Sequence, residues 1–272
     1  MPAPGGPEAE FSSPFDIAVA RQDAETLDMV REALAKRQTM LAYQPVVASG
    51  DPAKPVFYEG LIRVLDRRGR IIPAGDFMAV SETQELGRML DANALRLGLE
   101  ALERVPKLRL SINMSARSIG YPQWIDTLRE ALARKPEIGK RLILEITESS
   151  AIIMPDIVQV FMQDMQRRGV TFALDDFGAG FTAFRHLRDF YFDFLKIDGE
   201  FTRKVASDPD NQVLAEAMIA VGRVFDMITV AEAVETPADA EFLRRAGCDF
   251  MQGYCFGAPT TRPAWDSQQR RA

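Results

Sequence analysis

Residues 141–175 read RLILEITESSAIIMPDIVQVFMQDMQRRGVTFALD. The two ends, RLILEIT at 141–147 and VTFALD at 170–175, are short apolar runs with the composition of buried strands. Between them, residues 156–168 carry apolar side chains at helical spacing. A strand, a helix and a second strand in this order predict two parallel strands with a helix crossing over the sheet.

The same alternation extends in both directions. MLAYQPVV (40–47), VFYEGLIRV (56–64), LRLSINM (108–114), FDFLKID (192–198), ITVAEAV (228–234) and CDFMQGY (248–254) read as further strands. Residues 24–37, 88–104, 123–134, 211–225 and 238–246 carry helical periodicity. Eight strands alternating with helices predict an α/β fold with a largely parallel sheet, closed into a TIM-type (β/α)8 barrel rather than an open doubly wound sheet. No GxGxxG opens a helix after the first strand, which weighs against a dinucleotide-binding fold. A single domain is expected over 25–262. A flexible tail rich in Pro, Gly, Ala and Ser is expected over 1–24, and a short C-terminal tail over 263–272.

Composition narrows the chemistry. The 272 residues carry a net charge of −6 and a pI near 5.1, which argues against binding DNA, RNA or a lipid surface. The single histidine, His186, excludes histidine-rich metal sites. Cys248 and Cys255 form no CxxC and suit a reducing cytosol. The N-terminus lacks the basic and apolar regions of a signal peptide, and the apolar stretch 213–234 is broken by Glu216, Arg223 and Asp226. A soluble, cytoplasmic protein is the expectation.

The informative feature is where the apolar runs turn polar. Glu59, Asn113, Glu145, Asp175 with Asp176, Lys196 and Glu232 interrupt or end six of them, and Gln252 sits in the last. Each has a local alternative: Glu59 could pair with Arg63, Asn113 or the aspartates could close turns, Lys196 could reach out to solvent, and Glu145 with Glu148, or Glu232 with Glu235, could mark helix starts. In a barrel, however, strand ends converge on one mouth. Carboxylates gathered there repel one another by several kcal/mol unless cations are present. Oxygen donors without histidine select hard divalent ions such as Mg²⁺ or Mn²⁺, and two such ions with a lysine suit phosphoryl chemistry.

The ordered run YQPVV, EGLIR, INMSA, LEITES, DDFGAG, LKID, AEAVET and GCDFMQGY resembles the EAL domain of bacterial cyclic-di-GMP phosphodiesterases across about residues 25–262. The resemblance implies a modified TIM barrel, two divalent cations (Mg²⁺ or Mn²⁺), and hydrolysis of cyclic di-GMP to linear pGpG in the bacterial cytoplasm. It implies that Glu59, Asn113 and Glu145 ligate metal, that Asp175 bridges the two ions and that Asp176 serves the second. Lys196 would hold the attacking water, and Glu232 would complete a metal shell or act as general base. Gln44, Leu61, Arg63 and Gln252 fall at substrate-contacting positions. Glu148, Glu235 and Asp198 fall at supporting and loop-anchoring ones. The loop that begins DDFGAG couples the site to a dimer interface in this family, so a homodimer is implied.

Three positions depart from the family pattern. Gly60 stands where alanine is usual, and its place on a strand points it away from Glu59. Phe181 replaces a frequent tyrosine. Ala233 stands where glycine is usual, and its methyl matters if that backbone needs a positive φ. Two other readings use the same residues: a catalytically silent cyclic-di-GMP receptor, and an unrelated barrel enzyme with Lys196 as a Schiff base.

Overall fold

Ser49 and Gly50 turn the chain back on itself at the start of the barrel. They join β1 (Thr39–Ala48) to β2 (Asp51–Leu65), which pair antiparallel from Thr39↔Val64 to Ala48↔Asp51. The apolar pattern places the start of β2 at Val56. Residues 51–55 nevertheless continue the strand as an exposed ribbon, whose Pro52 and Pro55 hide it from a pattern-based reading. The structure is a computed structural model that describes residues 13–82, 84–179, 188 and 190–265. Phe181, His186 and most of the loop after the aspartates lie outside the described residues.

The remaining strands are β3 (Ile71–Ile72), β4 (Leu110–Asn113), β5 (Leu142–Thr147), β6 (Thr171–Phe177), β7 (Phe194–Ile197), β8 (Ile228–Ala231) and β9 (Phe250–Gln252). They run in the order β1-β9-β8-β7-β6-β5-β4-β2, closed by the β1–β2 pairing, with β3 appended to β2. Every neighbouring pair from β2 through β4 to β9 is parallel, whereas β1 runs antiparallel to both β2 and β9. A two-residue turn leaves no length for a crossover helix, so the first strand must reverse. This is the modification to the TIM barrel.

Helices cover the outside: α1 (Pro14–Ala35), α2 (Met78–Ser81), α3 (Glu85–Arg104), α4 (Pro122–Arg134), α5 (Glu148–Ile153), α6 (Pro155–Gln166), α7 (Gly199–Thr202), α8 (Pro209–Val224) and α9 (Pro237–Ala246). Asp208 and Thr236 cap α8 and α9 with their side chains, and each is followed by a proline that pre-sets the first turn. Leu95, Leu102, Leu128, Leu144 and Phe172 are among the residues buried in the shell between helices and strands. Gly60 and Gly98 face Ile112 there, where a Cβ at either position would meet its Cδ1 at 2.7 Å. Gly60 thus points away from Glu59, as its strand position predicts.

Two boundaries move. The helix expected from Ala24 begins at Pro14, so the tail predicted over 1–24 is helical from Pro14 onward. Of its first described side chains, Ile17, Ala18, Arg21 and Gln22 are exposed, and burial among those described starts at Thr26 and Leu27, so they carry no 3.6-residue period. Leu27, Val30 and Leu34 then pack on Val64, Phe77 and Leu90. At the other end, Pro263 is buried and the Trp265 ring stands edge-on to Tyr43 at 4.8 Å, so the expected C-terminal tail is docked through Trp265. Among the described residues no helix is long and apolar enough to cross a membrane.

Candidate active site

The site is one layer of the barrel interior. Val46, Phe57, Ile143, Ala173, Phe194 and Val230 form a buried apolar cluster with Phe250 packed against it, one residue from each of seven strands. Side chains alternate along a strand, so the residue two positions nearer the mouth shares the inward face. Those residues are Gln44, Glu59, Glu145, Asp175, Lys196, Glu232 and Gln252, and β4 adds Asn113 above Ser111. β1 reaches the layer by counting backwards from Val46, because it runs the other way.

Lys196 is the centre. It is 1% exposed, and its Nζ lies 2.6 Å from Glu232 Oε1, 2.7 Å from Glu145 Oε2 and 2.8 Å from Asp175 Oδ1, with Glu59 Oε2 at 3.7 Å. Burial alone would depress its pKa, but these four carboxylates hold it well above the ordinary lysine value. Glu59 is pinned from both sides, accepting from Asn113 Nδ2 at 2.7 Å and Gln252 Nε2 at 2.6 Å. Gln252 Nε2 also donates to Gln44 Oε1 at 3.1 Å. Despite burial, Lys196 and these amides keep the Glu59 pKa below its ordinary value. Burial pushes Glu145 up to about 8 and Asp176 up to about 6, the latter helped by Asp175 and Asp198. Burial, with Asp175 and Glu59 nearby, raises Glu232 well above the carboxylate range.

Adjacent residues of a regular strand face opposite ways, yet Asp175 and Asp176 both line the cleft. The β6–β7 register slips by one residue between Leu174 and Phe177, and Asp176 adopts a left-handed backbone with φ of 54°. This bulge turns the second aspartate to the same mouth. One carboxylate oxygen from each of Asp175, Asp176 and Glu232 lies within 4.8 Å of the others.

Glu232 follows directly after β8, and the turn that carries it is tied at four points. Glu232 N–H donates to Ile197 O, its carbonyl accepts from Thr202 Oγ1, Val234 N–H donates to Gln252 O, and Val234 O accepts from Cys255 N–H. Between these bonds Ala233 is held at φ of 47°. Gly253 permits the close approach of the two loops, because any side chain there would collide with the Val234 peptide. Ala233 has therefore not displaced Glu232 from Lys196.

A cleft of about 460 Å³ opens above this layer. Gln44, Glu59, Leu61, Asp175, Asp176, Glu232, Glu235 and Gln252 line it; Asn113 and Glu145 lie beneath, reached through Glu59 and Lys196. Arg63 does not line it: its Nη1 donates to Ile62 O at 3.0 Å. Asp198 caps α7 by accepting from Glu200 N–H, and Glu148 begins α5 as a buried residue. Arg203 and Tyr254 line the cleft without having been singled out from the sequence. Tyr254 follows Gln252 by two and was readable from alternation, whereas Arg203 sits past a one-turn helix and offers no such signal.

Five carboxylates (Glu59, Glu145, Asp175, Asp176 and Glu232) around one ammonium leave a formal charge of −4 when all are ionised. Two divalent cations would neutralise it. Glu145 Oε1 is buried without a hydrogen-bond partner among the described residues, and the donors are hard oxygens. The residues present therefore fit Mg²⁺ or Mn²⁺.

Fold and site together define a closed barrel whose mouth is a lysine-centred ring of carboxylates. The chain belongs to the EAL domain family, which it matches over residues 27–259. It is 33% identical over 248 residues to the bifunctional diguanylate cyclase/cyclic di-GMP phosphodiesterase MucR of Pseudomonas aeruginosa, covering 89% of this chain and 36% of that protein. It is 30% identical over 238 residues to the cyclic di-GMP phosphodiesterase PdeB of Shewanella oneidensis, covering 85% and 27% respectively. The chain thus spans about a third of the length of such curated relatives. Among solved structures, the PaMucR phosphodiesterase in complex with c-di-GMP superposes with a TM-score of 0.76 at 32% identity, covering 89% of this chain and 99% of that one. The Xanthomonas citri FimX EAL domain with c-di-GMP gives 0.79 at 26% identity, covering 91% and 98%.

Proposed function

We propose that this chain is a divalent-cation-dependent phosphodiesterase that hydrolyses one phosphodiester bond of cyclic di-GMP to linear pGpG. The observation that carries the reading is the inward layer itself. Each position of that layer is polar, four of its carboxylates lie within 4 Å of the buried Lys196, and Asp176 joins them in the cleft. The similarity to named cyclic di-GMP phosphodiesterases supplies the substrate. A homodimer in the bacterial cytoplasm belongs to the same proposal.

Glu59, Asn113, Glu145, Asp175, Asp176 and Glu232 would hold two ions, with Asp175 shared between them. When bound, the two cations polarise the phosphodiester and acidify the attacking water. Asn113 gives its amide N–H to Glu59, which leaves its carbonyl oxygen as the available donor. Lys196 Nζ keeps its protons and stabilises negative charge as it gathers on the phosphoryl oxygens. Glu232, the most exposed of the carboxylates within 3 Å of Lys196, would complete a cation shell or take the proton from the water. Water oxygen bonds to phosphorus, the P–O3′ bond breaks, and the 3′-oxygen takes up a proton, leaving a 5′-phosphate on the product. The apolar layer below closes the floor to water.

The test is incubation of purified protein with cyclic di-GMP and Mg²⁺ or Mn²⁺, against a chelator control, with pGpG followed by chromatography. Chelator-sensitive product that disappears in Glu59→Ala and Lys196→Ala is the expected result. Tight binding without product would return the silent-receptor reading, and neither binding nor turnover would overturn the substrate.

A further inference from the structure

We infer that Arg203 and Glu235, side by side at the rim of the cleft, read a guanine base of the substrate and set a preference for guanine over adenine. This rests on the cyclic-dinucleotide reading above. The cation at the floor is already committed: Lys196 Nζ donates to Glu145 Oε2 and lies within 2.8 Å of Asp175 and Glu232 as well. Among the described residues lining the cleft, Arg203 is the one basic side chain.

Arg203 Nε donates to Glu235 Oε1 at 3.2 Å, the one hydrogen bond of either side chain among the described residues. Most guanidinium donors and the second carboxylate oxygen are therefore open to a ligand. The side chains are 52% and 42% exposed, and an ion pair this exposed adds little to stability. Gly199 offers no side chain beneath the guanidinium, where a Cβ would lie 3.5 Å from Nη2.

The pattern of the pair selects the ligand. It presents N–H donors next to an anionic acceptor. Guanine presents the complement, with O6 and N7 as acceptors and N1–H and the 2-amino group as donors, and arginine is the usual partner of O6 and N7. Adenine inverts the match, since its 6-amino group would face the guanidinium and its unprotonated N1 the carboxylate. A phosphate is the poorer candidate, because Glu235 would repel it from the very cation that attracts it.

The experiment is steady-state kinetics of the Mg²⁺-loaded full chain on cyclic di-GMP and cyclic di-AMP, for the parent, Arg203→Ala, Arg203→Lys and Glu235→Gln. One matched contact of this kind corresponds to roughly a ten- to hundred-fold discrimination. Arg203→Ala should therefore raise KM for cyclic di-GMP by about that factor, hold kcat and narrow the guanine preference equally. Arg203→Lys, which keeps the charge and loses the planar fork, should not rescue it. Glu235→Gln should narrow the preference too. Full rescue by lysine would make Arg203 a simple counter-charge and overturn the inference. So would an unchanged KM and preference, or an equal loss of kcat on both dinucleotides. A parent that turns over cyclic di-GMP while the variants match it sinks this inference alone; a parent that turns over neither sinks the phosphodiesterase reading as well.

Discussion

Ala233→Gly tests how the turn that carries Glu232 is held. Ala233 sits at φ of 47°, where an L side chain is disfavoured by about 1–2 kcal/mol. Unlike Asp176, it has no polar side chain to offset that strain. Four hydrogen bonds on the flanking residues hold it there. Glycine removes the strain but loses more chain entropy on folding, by about 0.5–1 kcal/mol. The methyl it gives up packs at the Gly199 backbone, where a Cβ on residue 199 would lie 2.7 Å from it. The balance favours glycine by about 0.5–1 kcal/mol, a rise in Tm of about 1–2 °C for a chain this size. Calorimetry of both proteins in chelator reads the change without metal or substrate, and Ala233→Val, adding bulk toward Gly199, should lower Tm instead. If the hydrogen bonds rather than the methyl place Glu232, kcat of the glycine variant stays with the parent. A fall in Tm for Ala233→Gly would refute the reasoning, because it would mean that the methyl contributes more by packing than the left-handed backbone costs.

Three further outcomes follow from the same geometry. Mg²⁺ at about a hundred times its dissociation constant should add about 2.7 kcal/mol, or about 5 °C in Tm, over protein in chelator, and a flat titration would count against a cation site. Lys196→Met in chelator should destabilise by about 3–5 kcal/mol in urea unfolding, since buried carboxylates lose their counter-charge, and added Mg²⁺ should recover part of it. Asp91, which accepts from Ser115 N–H and Ser118 Oγ on one oxygen, is pushed up to about 6 by burial. A carboxyl raised in the folded state contributes stability below its unfolded pKa and loses it as pH rises through about 6. Asp91→Asn, which stays neutral, should therefore gain up to about 3 kcal/mol over the parent at pH 8 and almost nothing near pH 3.5, read from paired melts at the two pH values.

The strands were legible because most are buried on both faces and read as unbroken apolar runs; β5 is the clearest, with only Thr147 partly exposed. The reversal of β1 was not, since composition carries no direction and the cue was a two-residue turn, Ser49-Gly50, ahead of a proline-containing ribbon. The start of α1 was hidden because its described side chains, Ile17, Ala18, Arg21 and Gln22 among them, are exposed, and the period-3.6 signal is a record of packing. At the site, Glu59, Glu145 and Lys196 stood out as charges inside apolar runs. The side-by-side delivery of Asp175 and Asp176 did not, because it depends on a bulge and a left-handed backbone that aspartate tolerates but does not announce.

The two inward layers also explain why the charges sit where they do. Phe57, Ile143, Phe194 and Phe250 block the barrel below the carboxylates, so these groups have water on one side only. Moving any carboxylate two residues down its strand would bury it among those rings with no cation in reach, and moving it two up would place it in open solvent, where neighbouring charges are screened. At the intermediate level one lysine serves three carboxylates at hydrogen-bonding distance and still leaves Glu145 Oε1 unmet. Protonating some of the acids is one relief, as the raised values of Glu145 and Asp176 show for the cation-free protein. Cations entering from the mouth are the other. The same apolar floor that makes the ring repulsive thus directs its neutralisation to the face where a phosphodiester would arrive.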